Sequence, residues 1–378
     1  MSCSKIALVS VFLVSVTMLE AKTKKPVEIA LASNFSSASS SNANPYGNYF
    51  LDGVMLALEQ HANALSSNGI EIKIKKYDYG TDEIQVTGVT KKLVETAAVA
   101  VLGYNYSSHA LIAAPILASS KMPMITPSAT ATRLQEFDSY VHTTCFNNNL
   151  MGKELANLSV GILKAKKIAI VVAADCSYCV DLSSAFVRRA SELKIQTTVF
   201  EVLESDISFE QVISSLKKER YDAILVPNHE LASAKIISSI AKSGIKVPFL
   251  GGDGWGNEGK EFFKIIDDSA VNGYSITHWH QDDTSLTSSN FVKSYHKKYN
   301  KIPNDTAALA FDSMSFLISA IIENKSHDRN GLEKMIKKKF THNGVTGKTI
   351  FNNGKPSQKD FVILKAASGK FSYFSKSR

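Results

Sequence analysis

The chain has 378 residues, of which 44% are hydrophobic, 21% charged and 9% aromatic. That is the balance of a soluble globular protein, which excludes whole-chain disorder, collagen and coiled coil, and the length is enough for two lobes with separate cores. The formal net charge is +8, but its lysines are scattered, with Lys334, Lys337, Lys338 and Lys339 the densest group. No groove-reading motif or aromatic partner accompanies them, so a solvated basic surface is expected and nucleic acid is not an expected partner.

Lys5 precedes an apolar run from Ile6 to Leu19, followed by Glu20, Ala21 and a Lys-rich stretch. This reads as a secretory signal over residues 1–21, too short for a spanning helix. Cys3 lies before the apolar run, not after it, so an exported protein without a lipid anchor is expected. Export permits disulfides. Cys145, Cys176 and Cys179 remain, the last two as Cys-Ser-Tyr-Cys, and the sequence leaves open a local disulfide, a bridge to Cys145, or free thiols. A structural zinc site would need two further ligands, and no second Cys-x-x-Cys exists.

Strand and helix patterns alternate through the rest of the chain. Val27–Ala32 reads as a strand and 48–65 as a helix with Leu51, Val54, Met55, Leu58, Ala62 and Leu65 at helical spacing. Strands follow at 70–74, 98–102 and 123–126, with helices at 85–95 and 108–119 between them. After Asn147 the pattern restarts: helices at 150–163, 181–193, 209–218 and 231–243 alternate with strands at 168–173, 196–203, 223–227 and 248–251. Two or three helices lie between Ser288 and Lys339, then β-like segments at 349–351, 361–365 and 371–374. Such alternation predicts an α/β protein with two doubly wound parallel-sheet lobes.

Gly254-x-Gly256-x-x-Gly259 matches the dinucleotide fingerprint between a strand and a helix. Trp255 and Glu258 would crowd or repel a phosphate, and Glu261 stands where a P-loop needs Ser or Thr. The glycines are better read as shaping a loop that places Asp253 and Trp255. His278-x-His280 could hold a metal, but a surface role is expected. No catalytic Ser/His/Asp or His-Glu-x-x-His set is present, and neither a cofactor nor a resident metal is expected. More informative are hydroxyl residues at strand-to-helix corners: Tyr104-Asn-Tyr-Ser-Ser108 and Met124-Ile-Thr-Pro-Ser-Ala-Thr130. Ligands of open α/β sheets bind beyond the carboxyl ends of strands, where hydroxyls and free N–H groups suit an anion. Ordinary helix capping would explain either corner alone.

These two corners, with Pro45-Tyr-Gly47, Tyr178, Gly251-Gly-Asp-Gly-Trp255, Ala310-Phe-Asp312 and the closing Gly344-Val-Thr-Gly-Lys-Thr-Ile-Phe-Asn-Asn-Gly354, resemble the branched-chain amino-acid (Leu/Ile/Val) family of type I periplasmic solute-binding proteins. The likeness runs in order over nearly all of residues 27–374. It implies two lobes joined by three crossovers near 145–149, 275–280 and 343–353. Lobe one would comprise 26–146 and 281–342, and lobe two 147–280 and 343–378. By the same resemblance Ser107 would take a ligand carboxylate, and Thr130 would hold carboxylate and ammonium. The Ser128 backbone carbonyl and Asp253 would meet the ammonium, and Tyr46 and Tyr178 would wall the pocket. His229 stands where the family often has another aromatic. With Trp255, Tyr104 and Asn105 it would favour an aromatic, polar or amide-bearing ligand. The implied function is a monomeric periplasmic protein that captures an amino acid or small amide and passes it to an ABC permease in the inner membrane, without chemistry. A ligand-sensing module for a signalling receptor, and an enzyme using the Gly254–Gly259 loop, are the alternatives.

Overall fold

A computed structural model describes residues 26–35, 46–80, 82–204, 209–266, 271–324 and 327–377. The expected signal segment, 1–21, lies outside them, as does Pro45.

In chain order the first run is β1 (Val27–Ser33), α1 (Tyr46–Gln60), α2 (Ala62–Ser67), β2 (Ile72–Asp78), α3 (Glu83–Val94), β3 (Ala100–Gly103), α4 (Ser107–Ser119), β4 (Met124–Thr126) and β5 (Val141–Thr143). The strands form one parallel sheet in the order β2-β1-β3-β4-β5, with Ile29 opposite both Ile74 and Ala100. β1, β3 and β4 are buried almost throughout, which is why they read as short apolar runs. The helix expected at 48–65 is two helices broken at His61.

The second run is α5 (Asn148–Gly161), β6 (Lys167–Ala173), α6 (Ser177–Glu192), β7 (Gln196–Val202), α7 (Glu210–Leu216), β8 (Ala223–Leu225), α8 (Glu230–Lys242), β9 (Phe249–Gly251), α9 (Lys260–Ile265) and β10 (Asn272–Thr277). Then come α10 (Leu286–Tyr299), α11 (Asp305–Glu323), α12 (Arg329–Ile336) and β11 to β15, at Phe340–Gly344, Gly347–Asn352, Lys355–Lys359, Val362–Ala367 and Lys370–Lys376. The second sheet is ordered β15-β14-β10-β9-β8-β6-β7 and is parallel except where β14 pairs with β10 and β15. A third sheet, β11-β12-β13, is antiparallel.

Helices from beyond residue 281 return to the first lobe. α11 carries sixteen buried residues. By length and apolarity it could cross a membrane, yet 89% of that stretch is buried, as in the core helix of a globular lobe. It packs on α1 closely enough that a Cβ at Gly53 would lie 2.2 Å from the Ala307 carbonyl oxygen. The last crossover differs from the sequence expectation near 343–353. Phe340 and Phe351 of the small sheet stack on Phe316 of α11, so β11 and β12 share the first lobe's core. The chain joins the second sheet only at Val362.

A buried pair ties α12 to the edge of the first sheet. The Glu333 carboxylate faces His142 Nε2 at 2.7 Å and accepts the Tyr140 N–H at 2.9 Å. Burial alone would raise the Glu333 carboxyl, but the His142 and Tyr140 contacts hold it below the usual value.

Candidate functional site

On the first lobe, two corners are fused by hydrogen bonds. Thr126 Oγ1 donates to the Tyr104 carbonyl (2.8 Å) and accepts from the Ala129 N–H (3.1 Å). Ser128 Oγ donates to the Asn105 carbonyl (3.0 Å), and Ser107 Oγ accepts the Ala131 N–H (3.1 Å). Ser107 opens α4, and the Thr130 carbonyl accepts the N–H of Asn148 at the start of α5. Ser107, Ser128 and Thr130 therefore form one constellation at the carboxyl ends of β3 and β4, beside a helix N-terminus.

The second lobe contributes Asp253, in the turn after β9. Its carboxylate accepts the Tyr178 hydroxyl (2.8 Å) and meets His278 Nε2 (3.0 Å). Tyr178 also accepts the Gly254 N–H at 3.0 Å. This packing explains the glycines better than a phosphate does. A Cβ at Gly252 would lie 2.6 Å from the Tyr178 hydroxyl, and one at Gly251 would enter the Trp255 ring. Cys145, at the first crossover, is buried with its thiol on the Ala129 carbonyl (3.4 Å), and burial followed by the nearby Asp253 carboxylate pushes that thiol up. Asp253 is thus a charged neighbour of Cys145, whose thiol rests on the Ser128–Thr130 corner.

The lobes touch at several points. The Thr132 N–H donates to Asp181 of α6 (2.7 Å), and Thr277 Oγ1 donates to Asp305 (3.0 Å). A Cβ at Gly256 would lie 3.3 Å from the Tyr46 hydroxyl. Tyr178 stacks on His229 with ring centres 5.2 Å apart, and Tyr106 meets His229 edge-on. Ser33, Asn34, Tyr46, Gly47, Asn105 and Tyr106 enclose a cavity of only about 10 Å³, room for about one water.

Two expected placements change. Trp255 is fully buried in the second lobe's core, its indole N–H on the Val226 carbonyl (2.9 Å) and its ring against Phe262 and Phe371. It supports the turn from behind and does not wall the cleft. His278 and His280, read from sequence as surface residues, are 2% and 4% exposed. His278 stacks on Phe146 and orients Asp253, a role with no local sequence signal.

Further carboxylates gather at the cleft. Burial raises Asp305 to about 6, with His278 and the Thr277 hydrogen bond opposing it and Asp253 adding to it. Burial also raises Glu230 to about 7; its hydrogen bond from the Phe262 N–H works against this, and the neighbouring Glu258, Glu261 and Asp305 reinforce it. In the folded state Glu230 keeps its proton at pH values where the unfolded chain has lost it. Its contribution to stability is therefore full below the ordinary value of 4.5 and is lost as pH rises to about 7. Glu230→Gln should flatten the decline in thermal stability across that window and be more stable than wild type by about 1 kcal/mol or more above it. An unchanged decline in the variant would show that Glu230 is not its source.

The chain thus forms two α/β lobes joined by three chain crossings, with the corners of each lobe in contact with the other. A family model described as periplasmic binding protein matches residues 26–370, and the chain belongs to that family. The leucine-, isoleucine-, valine-, threonine- and alanine-binding protein of Pseudomonas aeruginosa is 26% identical over 56% of this chain; that alignment spans 57% of the relative's own length. A leucine-binding protein from Thermotoga maritima superposes with a TM-score of 0.83 at 24% identity, covering 93% of this chain and 98% of that one. A solute-binding protein of an ABC transporter from R. palustris, in complex with 4-hydroxybenzoate, gives 0.80 at 16% identity, covering 93% and 97%. The fold is that of type I periplasmic binding proteins.

Proposed function

We propose that this protein captures a small zwitterion, an amino acid or a related amide, between its lobes and presents it to an ABC permease in the inner membrane. It acts as a monomer in the periplasm and performs no chemistry. The observation that carries this reading is the polarity of the cleft: hydroxyls and backbone N–H groups at the Ser107 and Ser128–Thr130 corners, with the Asp253 carboxylate opposite. A zwitterion's desolvated ends each need a partner, and these two sets supply one apiece. Ser107 takes the carboxylate end, Thr130 holds carboxylate and ammonium, and the Ser128 backbone carbonyl and Asp253 meet the ammonium, while Tyr46, Tyr178 and His229 flank the remainder. Since the sets come from different lobes, the solute itself favours the shut form.

A thermal-shift screen of the protein against the amino acids, short amides, urea, benzoates and nucleotides tests this. A true ligand at a hundred times its Kd adds about 2.7 kcal/mol. Stabilisation by amino acids or amides supports the proposal. The aromatic rings Tyr46, Tyr106, Tyr178 and His229 make benzoates the second reading, and a response to benzoates alone would replace the first. A response to nucleotides alone would reject both.

A further inference from the structure

The second lobe holds a group of four residues of which the solute-binding reading uses only His229. Cys176 and Cys179 are joined in a disulfide at the N-terminus of α6. Glu204, which follows β7, and His229, which precedes α8, converge on it from two other strand ends. Their nearest side-chain atoms and the two sulfurs all lie within 4.8 Å of one another. Cys176 Sγ is 3.6 Å from His229 Nδ1, Cys179 Sγ is 3.8 Å from Glu204 Oε1, and His229 Nδ1 is 3.1 Å from Glu204 Oε1.

We propose that Cys176, Cys179, Glu204 and His229 form a zinc site that reduction of the Cys176–Cys179 disulfide opens. Zinc is bound tetrahedrally, with bonds of roughly 2.3 Å to sulfur and roughly 2.0–2.1 Å to nitrogen or oxygen, which sets the ligand atoms about 3.3–3.8 Å apart. Three of the five mixed-atom separations, at 3.6, 3.8 and 3.1 Å, already fall near that range. The sulfur–sulfur separation must grow, which rotation about the Cys side-chain torsions provides once the bond is cut, and the remaining pairs lie within 4.8 Å. The donor set is one that zinc favours: two thiolates, one imidazole and one carboxylate. The start of α6 suits the thiolates, because its N-terminal dipole and the Cys179 N–H, 3.2 Å from Cys176 Sγ, stabilise negative sulfur. His229 and Glu204 are partly exposed and give the ion a path in.

The chemistry balances with a dithiol reductant. The donor transfers two electrons and two protons to the sulfurs, the Cys176–Cys179 bond breaks, and the donor is left as a disulfide. Zinc then displaces both thiol protons to solvent. Oxidation runs the sequence backwards and releases the ion.

The test is zinc titration of the full chain in the presence of a competing chromophoric chelator, after phosphine reduction and without oxygen. The reduced protein should bind one zinc ion per chain, and the oxidised protein should bind none with comparable affinity. His229→Ala and Glu204→Gln, reduced in the same way, should each bind at least about tenfold more weakly. Cobalt should give a thiolate charge-transfer absorption with the reduced wild type that the oxidised protein lacks. Equal zinc affinity of the reduced and oxidised forms overturns the proposal, and so does a His229→Ala variant that binds as tightly as wild type. Because the oxidised wild type is itself the control, no Cys variant has to fold. The outcome is independent of the solute screen.

Discussion

Asp253→Asn should bind an amino-acid ligand at least about tenfold more weakly than the wild type in calorimetric titration. A charge-assisted hydrogen bond to an ammonium is roughly twice as strong as a neutral one, and tenfold corresponds to about 1.4 kcal/mol. The geometry makes this a clean substitution. Asparagine has the same shape, and its carbonyl oxygen can still accept the Tyr178 hydroxyl that now lies 2.8 Å from Oδ1. What is removed is the negative charge held in place by Tyr178 and His278. Tyr178→Phe should show a smaller loss, because the charge remains and only its orientation loosens. Unchanged affinity in Asp253→Asn would place the ammonium elsewhere, with Asp305 the next carboxylate to test.

Gly53→Val should destabilise the first lobe by about 3 kcal/mol, measured by chemical denaturation. Even the first added carbon would lie 2.2 Å from the Ala307 carbonyl oxygen and 2.9 Å from the Ala310 Cβ. The obstacle is helix backbone, which cannot rotate aside like a flexible side chain, so α1 and α11 would have to separate. Their separation would uncover Phe50, Val54 and the apolar face of α11, all fully or nearly fully buried. A loss under 1 kcal/mol would mean that the two helices pack less closely than described.

The parts of the fold visible in the sequence are those governed by local periodicity. Buried central strands such as 168–173 stand out as apolar runs, and helices such as α8 show their buried stripe. β5 (Val-His-Thr) and β10 (Asn-Gly-Tyr-Ser-Ile-Thr) do not, because each carries buried polar residues, among them His142 and Thr277, whose partners are distant in sequence. His142 finds Glu333, 191 positions away, and Thr277 finds Asp305. The site divides along the same line. Ser107, Ser128 and Thr130 lie at corners whose composition can be read directly. The burial of Trp255 and His278, and the convergence of Glu204 with the disulfide, depend on which strand ends the topology makes neighbours. A Gly-rich setting makes Trp255 look exposed, whereas the glycines clear space for its ring against the second lobe's core.

α11 also braces the second chain crossing and the small sheet that precedes the third. At its N-terminus Asp305 accepts the Thr277 hydroxyl, where the chain leaves the second sheet. Two turns on, Asp312 accepts the Val345 and Thr346 N–H groups (both 2.8 Å) where the chain turns back toward it. One helix therefore holds both the end of β10 and the β11–β12 turn in place. Substitutions at Thr277 or Thr346 should alter how far the lobes gape, and hence how quickly a solute escapes, while leaving the groups that grip it untouched.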